Sequence, residues 1–532
     1  MSFQKQVLDF SKTHLLDRLV QDYLDGKCSW LTGYEKDSAF DDVLKRRKQE
    51  NFPHRELLVD ILNEQNKRLN ALQAENLEAL LSENTFTVTT GQQLNLFTGP
   101  LYFIYKIISS INLARRLNEK YPAQLFVPIY WMASEDHDIA EVNHATIYGK
   151  KIEWKTEQTG AVGRMKCEGI AHVINEVESL LGESENANRI ISLLRESYSE
   201  DHTMAEATRI LVNELFGKYG LLILDADDAR LKEMFKSVMV DEMGSHTTYK
   251  LVNDTIALLK QKKYHEQVHP AEVNLFFLYQ NIRSKLIATE HGFRVEPAVS
   301  EIFSKVRTAD IDANQYSPNV VLRTLYQETI LPNIAYVGGP AEIAYWLEYR
   351  SMFDYYNISY PVLVLRNSAM IIDDTPHSKM KKLDFSPEDF FQSSDELAKQ
   401  FIINNTNNFS FKEEASLITQ AFNSLSQKIA GIDNTLKPAA EAEMQKNLNS
   451  LKALEEKVIR AEKKKYETTI QQIYKLKEKL FPDNTPNERI DNFLPYYVKY
   501  GEGFIEMIKE GFEREEQFYI LIESMTDESS LS

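Results

Sequence analysis

Two short segments concentrate the groups that could do chemistry. The first, TTGQQLNLFTGP, spans Thr89–Pro100, and the second, WMASEDHDIAEVNH, spans Trp131–His144. In the first, Gln92, Gln93, Asn95 and Thr98 donate and accept hydrogen bonds without charge, while Gly91 and Gly99 let backbone approach a ligand closely. A zwitterionic or polyhydroxy substrate needs such groups. In the second, Glu135, Asp136, His137 and Asp138 are consecutive, with His144 further on. A carboxylate beside a histidine fixes its tautomer and can raise its pKa, as general acid–base work requires. His137, supported by Asp136 or Asp138, is therefore the candidate base. Ser134 or Asp136 is also placed to cap a helix, a role compatible with the first. His137, Asp138 and His144 match no standard metal-ligand spacing, and no metal is expected.

A third cluster follows later. Gly338 and Gly339 sit where a ligand-facing turn belongs, ahead of Pro340, Glu342 and Tyr345. Glu342 falls in a first helical turn, where the helix dipole alone would account for it. Arg323 and Arg366 are candidate clamps for a carboxylate or phosphate, and equally suited to structural salt bridges.

The elements that must position these groups alternate between strands and helices. Phe86–Thr90 reads as a strand, Pro100 suits a helix start, and the helix runs through Tyr105, Ile108, Ile111 and Leu117 until Pro122. Leu125–Met132 is a second buried strand, so the three pieces form a βαβ unit. Further core strands are expected at Leu221–Asp225, Asn333–Val337 and Tyr360–Arg366, with helices over Val320–Leu331 and Ala341–Tyr356. This alternation defines a doubly wound α/β core with a parallel sheet, in which ligands bind beyond the carboxyl ends of the strands. Residues 1–85 read as helical, packing on a core of 86–385. Insertions fall at about 145–218 and 228–315, the first opening with a small β element and the second largely helical with a short strand at Asn274–Tyr279.

The C-terminal third differs. Ala415, Ile418, Phe422, Leu425, Ile429, Ile432 and Leu436 follow the alternating spacing of a coiled-coil seam. Pro438 would break a continuous helix, so an antiparallel hairpin is expected within 386–481, turning near Asp433–Lys437. Residues 482–532, rich in tyrosine, glycine and proline, are expected to fold back on the core.

The 532 residues carry a net charge of −18, which disfavours nucleic-acid partners, since phosphate contacts need a basic footprint. No apolar run approaches the ~18 residues of a membrane span, and the start resembles no secretory or transit leader, so a cytoplasmic protein without a membrane partner is expected. Two cysteines, Cys28 and Cys167, cannot build a disulfide framework or a multi-cysteine zinc site.

The blocks TGQQLNLFTGPLYFIYKI, VPIYWMASEDHDIAEVNH and SPNVVLRTLYQETILPNIAYVGGPAEIAYW, with the late heptads, resemble the cysteine-adding enzymes of bacillithiol biosynthesis. The resemblance covers nearly the whole chain. It implies a Rossmann-type core related to class I aminoacyl-tRNA synthetases, with connecting-peptide insertions, a coiled-coil domain and a homodimer. It implies a ligase that joins cysteine to the amino group of glucosaminyl malate, with ATP or another nucleotide as the suspected energy donor. Within it, Gly99–Tyr105 stands where a synthetase reads G-P-L-H-x-G-H, and Tyr102 and Tyr105 replace both histidines. That departure argues against synthetase-like adenylation. Lys379–Lys382 stands where a synthetase places its mobile lysine loop. The resemblance also suggests a second nucleotide site near Asn492, Tyr496 and Tyr497.

On this reading Gln92, Gln93, Thr98, Gly99, Tyr102, Glu135, His144, Gly338, Gly339 and Glu342 surround the substrates, and Arg323 or Arg366 holds the malyl carboxylates or a phosphate. The rivals are a catalytically retired dimeric scaffold and a synthetase-like nucleotide-binding protein with another amine substrate.

Overall fold

The computed structural model describes residues 2–290, 292–296, 311–405, 411–513 and 518–525. Five parallel strands form the central sheet: Thr85–Gln92, Leu125–Met132, Leu222–Asp225, Asn333–Gly338 and Val362–Leu365. Their order in space is Val362–Leu365, Asn333–Gly338, Thr85–Gln92, Leu125–Met132, Leu222–Asp225. The order reverses between the first and fourth strands, which makes their carboxyl ends the topological switch point. The strands are almost wholly buried because helices cover both faces, which is why they read as apolar runs rather than alternations. The helix Tyr102–Lys120 joins the first two and buries most of its length against them.

The outer edge of the sheet is covered rather than left open. The Tyr23 hydroxyl donates to the Leu363 carbonyl at 2.6 Å, and the Leu363 N–H donates to the Tyr34 hydroxyl at 3.1 Å. Both tyrosines come from the N-terminal region, so it satisfies backbone groups that would otherwise invite another strand. That region is not helical throughout, as its sequence suggested. Ser2–Asp9 is a strand, paired antiparallel with Phe518–Met525 in a small sheet with Ser368–Ile372. Its partner lies some five hundred residues away, and strand formation is decided by such partners more than by local propensity.

The second insertion also differs from expectation. Beyond helices Ala229–Ser245 and Thr247–Gln261 it builds a four-stranded antiparallel sheet, in the order Tyr316–Pro318, Leu275–Tyr279, Ile282–Thr289, Gly292–Glu296. Only the first-read strand carries an apolar run. The turn after it is Gln280–Asn281, with Gln280 at φ 49°, and has no glycine to announce a hairpin. The first insertion does open on a hairpin, His144–Ile147 with Lys150–Glu153. The helix expected over Ala341–Tyr356 is two, Pro340–Leu347 and Arg350–Tyr356.

Contacts divide the chain into two units, Met1–Ile371 with Glu488–Asp527, and a second built on Ile372–Asn487. The division falls short of 385 and beyond 481, the boundaries read from sequence. In the first unit Phe493, Leu494, Tyr497, Phe504, Ile508 and Phe512 enter the same hydrophobic cluster as Tyr105, Ile108 and Tyr130. In the second, Lys412–Ala430 and Lys437–Lys463 pack together across a short turn at Asn434–Leu436, forming the antiparallel hairpin. Lys379–Lys382 is the last turn of the helix Asp374–Lys382, not a loop.

Candidate active site

At the switch point the carboxyl ends of the strands open into a cavity of about 710 Å³. Gln92, Gln93, Tyr102, Glu135, Asp136, His137, Asp138, Arg323, Gly339, Glu342 and Arg366 all line it. Residues from three separate parts of the sequence therefore converge on one cavity.

The acidic side comes from the loop after Leu125–Met132. Asp136 accepts from Gln93 Nε2 at 2.6 Å and from the His137 backbone N–H at 2.7 Å. Burial pushes its pKa up, but the contacts with His137 and Gln93 and the nearby Arg283 charge outweigh that and hold it below the usual carboxylate range. Gln93 also donates to Glu141 at 2.8 Å, so one amide bridges two carboxylates on the rim. Glu135 is buried, which raises its pKa, and it is ion-paired at 2.6 Å with Lys232, which opposes the shift. Lys232 is itself fully buried between Glu135 and Asp227. Asp138 is exposed and lines the cavity, and among the described residues its carboxylate has no side-chain partner.

The basic side faces it across the sheet. Arg366 follows Val362–Leu365, with its guanidinium over the Tyr102 ring at 5.6 Å and paired with Glu488 at 2.8 Å. Arg323, one turn into the helix Val320–Ile330, donates to the Tyr345 hydroxyl at 3.1 Å. Burial disfavours the charge of each arginine, but the tyrosines around Arg323 and Glu488 beside Arg366 more than compensate, and both pKa values are raised. A Cβ on Gly91 would meet Arg323 Nη1 at 3.2 Å, so this glycine makes room for the guanidinium. Arg489 is exposed on the same side.

Glu342 forms the floor. It accepts from the Gly339 N–H at 2.7 Å, from the Tyr336 hydroxyl at 2.7 Å and from Lys106 at 2.6 Å. Burial raises its pKa, and Lys106 and the Gly339 N–H reverse that to a net lowering.

The remaining candidates lie elsewhere. Gly338 uses its carbonyl to accept the Arg366 N–H at 2.8 Å. Thr98 and Gly99 are buried in a turn with φ of 69° and 64°, so they shape the loop and do not face the cavity. His144 belongs to the hairpin, its Nδ1 3.3 Å from Asn143 Oδ1, and burial lowers its pKa. Asn492 is fully buried and donates to the carbonyls of Phe97 and Gly99 at 2.9 and 2.7 Å. Its amide clamps the first loop and is not available to a nucleotide. Tyr496 stacks on Phe504, and Tyr497 packs in the core.

Three lining cations escaped the sequence reading: Lys106, Arg283 and Arg489. Lys106 had a signal, a lone charge within the apolar run LYFIYKII. Arg283 had none, because its strand was not recognised. It reaches the acidic side from the insertion sheet, with Nη1 3.0 Å from His137 Nδ1. A guanidinium has no acceptor, so Nδ1 accepts and the proton of a neutral His137 resides on Nε2. Asp136 Oδ1 is 3.7 Å from the same nitrogen and makes no hydrogen bond to it. The carboxylate-supported base expected from SEDHD is therefore not the arrangement present.

The sequence matches two family profiles, the bacillithiol biosynthesis BshC N-terminal Rossmann-like domain over residues 3–367 and the BshC C-terminal coiled-coil domain over residues 369–523. A protein of Flavobacterium psychrophilum named "Putative cysteine ligase BshC" is 39% identical over 519 residues, which is 94% of this chain and 96% of its own length. Proteins of the same name from Flavobacterium johnsoniae and Christiangramia forsetii are 38% identical (94% of this chain, 96% of theirs) and 36% identical (97% and 98%).

Proposed function

Because the chain belongs to the BshC family of bacillithiol biosynthesis, we propose that it is a cysteine ligase that forms an amide between L-cysteine and the amino group of glucosaminyl malate. The observation that carries the substrate assignment is the two-sided cavity. Glu135, Asp136, Asp138 and Glu141 gather after Leu125–Met132, while Arg366 follows a strand three positions across the sheet. Three strand spacings are about 14 Å. A molecule with an amine at one end and two carboxylates at the other can bridge that distance. The acidic side favours the ammonium group, and Arg323, Arg366 and Arg489 favour the malyl carboxylates or a phosphate. Asp138, whose carboxylate has no side-chain partner among the described residues, is the group we assign to meet the amine, which must be neutral to attack.

A nucleotide is the energy donor in this reading. The basic side, Arg323, Arg366 and Arg489, supports an anion there. We also propose a cytoplasmic homodimer. Among the described residues no helix is long and apolar enough to cross a membrane. Leu417, Ile432 and Leu454 of the helical unit are 65%, 88% and 55% exposed, which supports a partner for that unit.

The test is deletion of the gene, with mass spectrometry of low-molecular-weight thiols and complementation. Loss of the cysteinyl glucosaminyl-malate thiol, accumulation of its amine precursor and rescue by the wild-type gene are the expected results. An unchanged thiol pool in the deletion strain, with no second copy of the gene, removes the ligase reading and favours the scaffold.

A further inference from the structure

The insertion sheet sets one of its faces against the acidic side of the cavity. Register pairs Ser317 with Phe276 and Leu278 with Arg283. Side chains two apart on a strand share a face, so Phe276, Arg283 and Ser317 lie on the same one. Arg283 is held there at three points. Its Nε donates to Ser317 Oγ at 3.1 Å, its Nη2 to the Pro318 carbonyl at 3.0 Å, and its Nη1 meets His137 Nδ1 at 3.0 Å. The guanidinium lies over the Phe276 ring at 3.9 Å, and the His137 ring packs against the same phenylalanine at 5.2 Å. Arg283 is 7% exposed, so its geometry is set by the fold and not by solvent.

We propose that Arg283 is a positioning residue that holds His137 as the Nε2–H tautomer, so that His137 serves the ligand as a hydrogen-bond donor and not as a proton acceptor. Donor and acceptor count decides the tautomer. Arg283 can only donate, so it occupies the Nδ1 lone pair and leaves the other nitrogen protonated. A carboxylate at Nδ1 would impose the opposite tautomer and leave Nε2 basic. Asp136, the one carboxylate within 4 Å of that nitrogen among the described residues, is already engaged by Gln93 and by the His137 backbone N–H. An Nε2–H group on the cavity wall suits an oxygen of the ligand, such as the carbonyl oxygen of the cysteinyl group, which gains charge when an amine attacks the carbon. The choice of that oxygen rests on the ligase reading; the tautomer does not.

The experiment is nitrogen-15 NMR of the full-length protein labelled in histidine, with His137 assigned by its absence in His137→Gln. The expected wild-type pattern is a protonated Nε2 and an unprotonated, hydrogen-bonded Nδ1. Arg283→Met is expected to abolish the fixed pattern and to lower kcat for amide formation about ten- to a hundredfold through misplacement of the ring. Arg283→Lys, whose ammonium also only donates, is expected to restore the tautomer and part of kcat. A wild-type His137 protonated on Nδ1 overturns the inference, and needs no variant to fold. An unchanged tautomer in a folded Arg283→Met overturns it as well. A fixed Nε2–H pattern that Arg283→Met abolishes, in a protein that joins cysteine to no amine, sustains the inference and removes the ligase reading.

Discussion

Lys106 Nζ lies 2.6 Å from Glu342 Oε2, an ion pair that ties the helix Tyr102–Lys120 to the first turn of the helix Pro340–Leu347. Lys106 also donates to Gln92 Oε1 at 3.1 Å and to the Gly91 carbonyl. One ammonium group therefore fixes both glycine-bearing loops that form the cavity floor. Burial pulls the Lys106 pKa down and Glu342 pulls it back, leaving a net lowering. Glu342 therefore offsets part of the cost of burying the ammonium group.

Removing one member of a buried pair is worse than removing both. Lys106→Met is expected to cost about 3–5 kcal/mol, with Lys106→Met/Glu342→Gln recovering part of it. Urea unfolding of the three proteins checks this. Glu342 has a lowered pKa in the folded state, so its contribution is present above about pH 4.5 and lost as pH falls through the folded value. A double variant as unstable as Lys106→Met alone would show that the pair is not the source of the loss.

Glu348 gives the opposite sign. It is fully buried and accepts the N–H groups of Gln267 and Val268 at 2.7 and 3.2 Å. Burial pushes its pKa to about 7, against the pull of those two N–H groups. A carboxyl that binds its proton more tightly when folded stabilises fully below its unfolded pKa of about 4.5, and that contribution is lost as pH rises through about 7. Relative to Glu348→Gln, the wild-type protein is therefore expected to lose about 2–3 kcal/mol between those limits. Parallel stability–pH profiles for the two proteins would refute the shift.

What the sequence revealed of this site follows from its physics. Gln93, Asp136 and Gly339 were legible because uncharged amides, carboxylates and glycines after apolar strands have little structural reason to gather there. Arg366 was legible because it closes the run YPVLVLR at the ligand end of a parallel strand. Arg283 was not, because its strand is built of mixed residues whose pairing with Leu275–Tyr279 decides its conformation. Ser2–Asp9 was missed for the same reason. Thr98 and Asn492 were assigned to ligands because residue type does not distinguish an amide or hydroxyl that shapes a loop from one that faces a cavity.

Gly99 illustrates that last distinction and can be tested. Its φ of 64° with ψ of −141° is a conformation open essentially to glycine alone. A Cβ there would come within 2.6 Å of Asn95 Cβ. Gly99→Ala is expected to displace the loop, costing more than 2 kcal/mol by the order of such backbone strain plus the clash, and to reduce ligation sharply. Gly149 has φ of 76° with nothing within 4 Å of an added Cβ. Gly149→Ala should therefore cost only about 1 kcal/mol, the strain without the clash. Equal losses in thermal or urea unfolding would remove the steric part of the argument.

Asp138 and Arg489 test the two sides of the cavity separately. Both are exposed, both line it, and among the described residues neither carboxylate nor guanidinium has an ion-pair partner. Asp138→Asn and Arg489→Ala should therefore leave stability within about 0.5 kcal/mol of wild type. With the proposed substrate, each variant would lose a charge-assisted contact, which corresponds to about a ten- to hundredfold fall in kcat/KM. The losses should differ in kind. Asp138→Asn removes the group assigned to the amine, so kcat falls, and a pre-formed neutral amine at higher pH does part of its work. Arg489→Ala removes an anchor for the carboxylates, so KM for glucosaminyl malate rises while KM for a malate-free glucosamine is unaffected. That second comparison is decisive, because a general electrostatic effect would weaken both amines alike, whereas a contact to the malyl group can act only on the substrate that carries it.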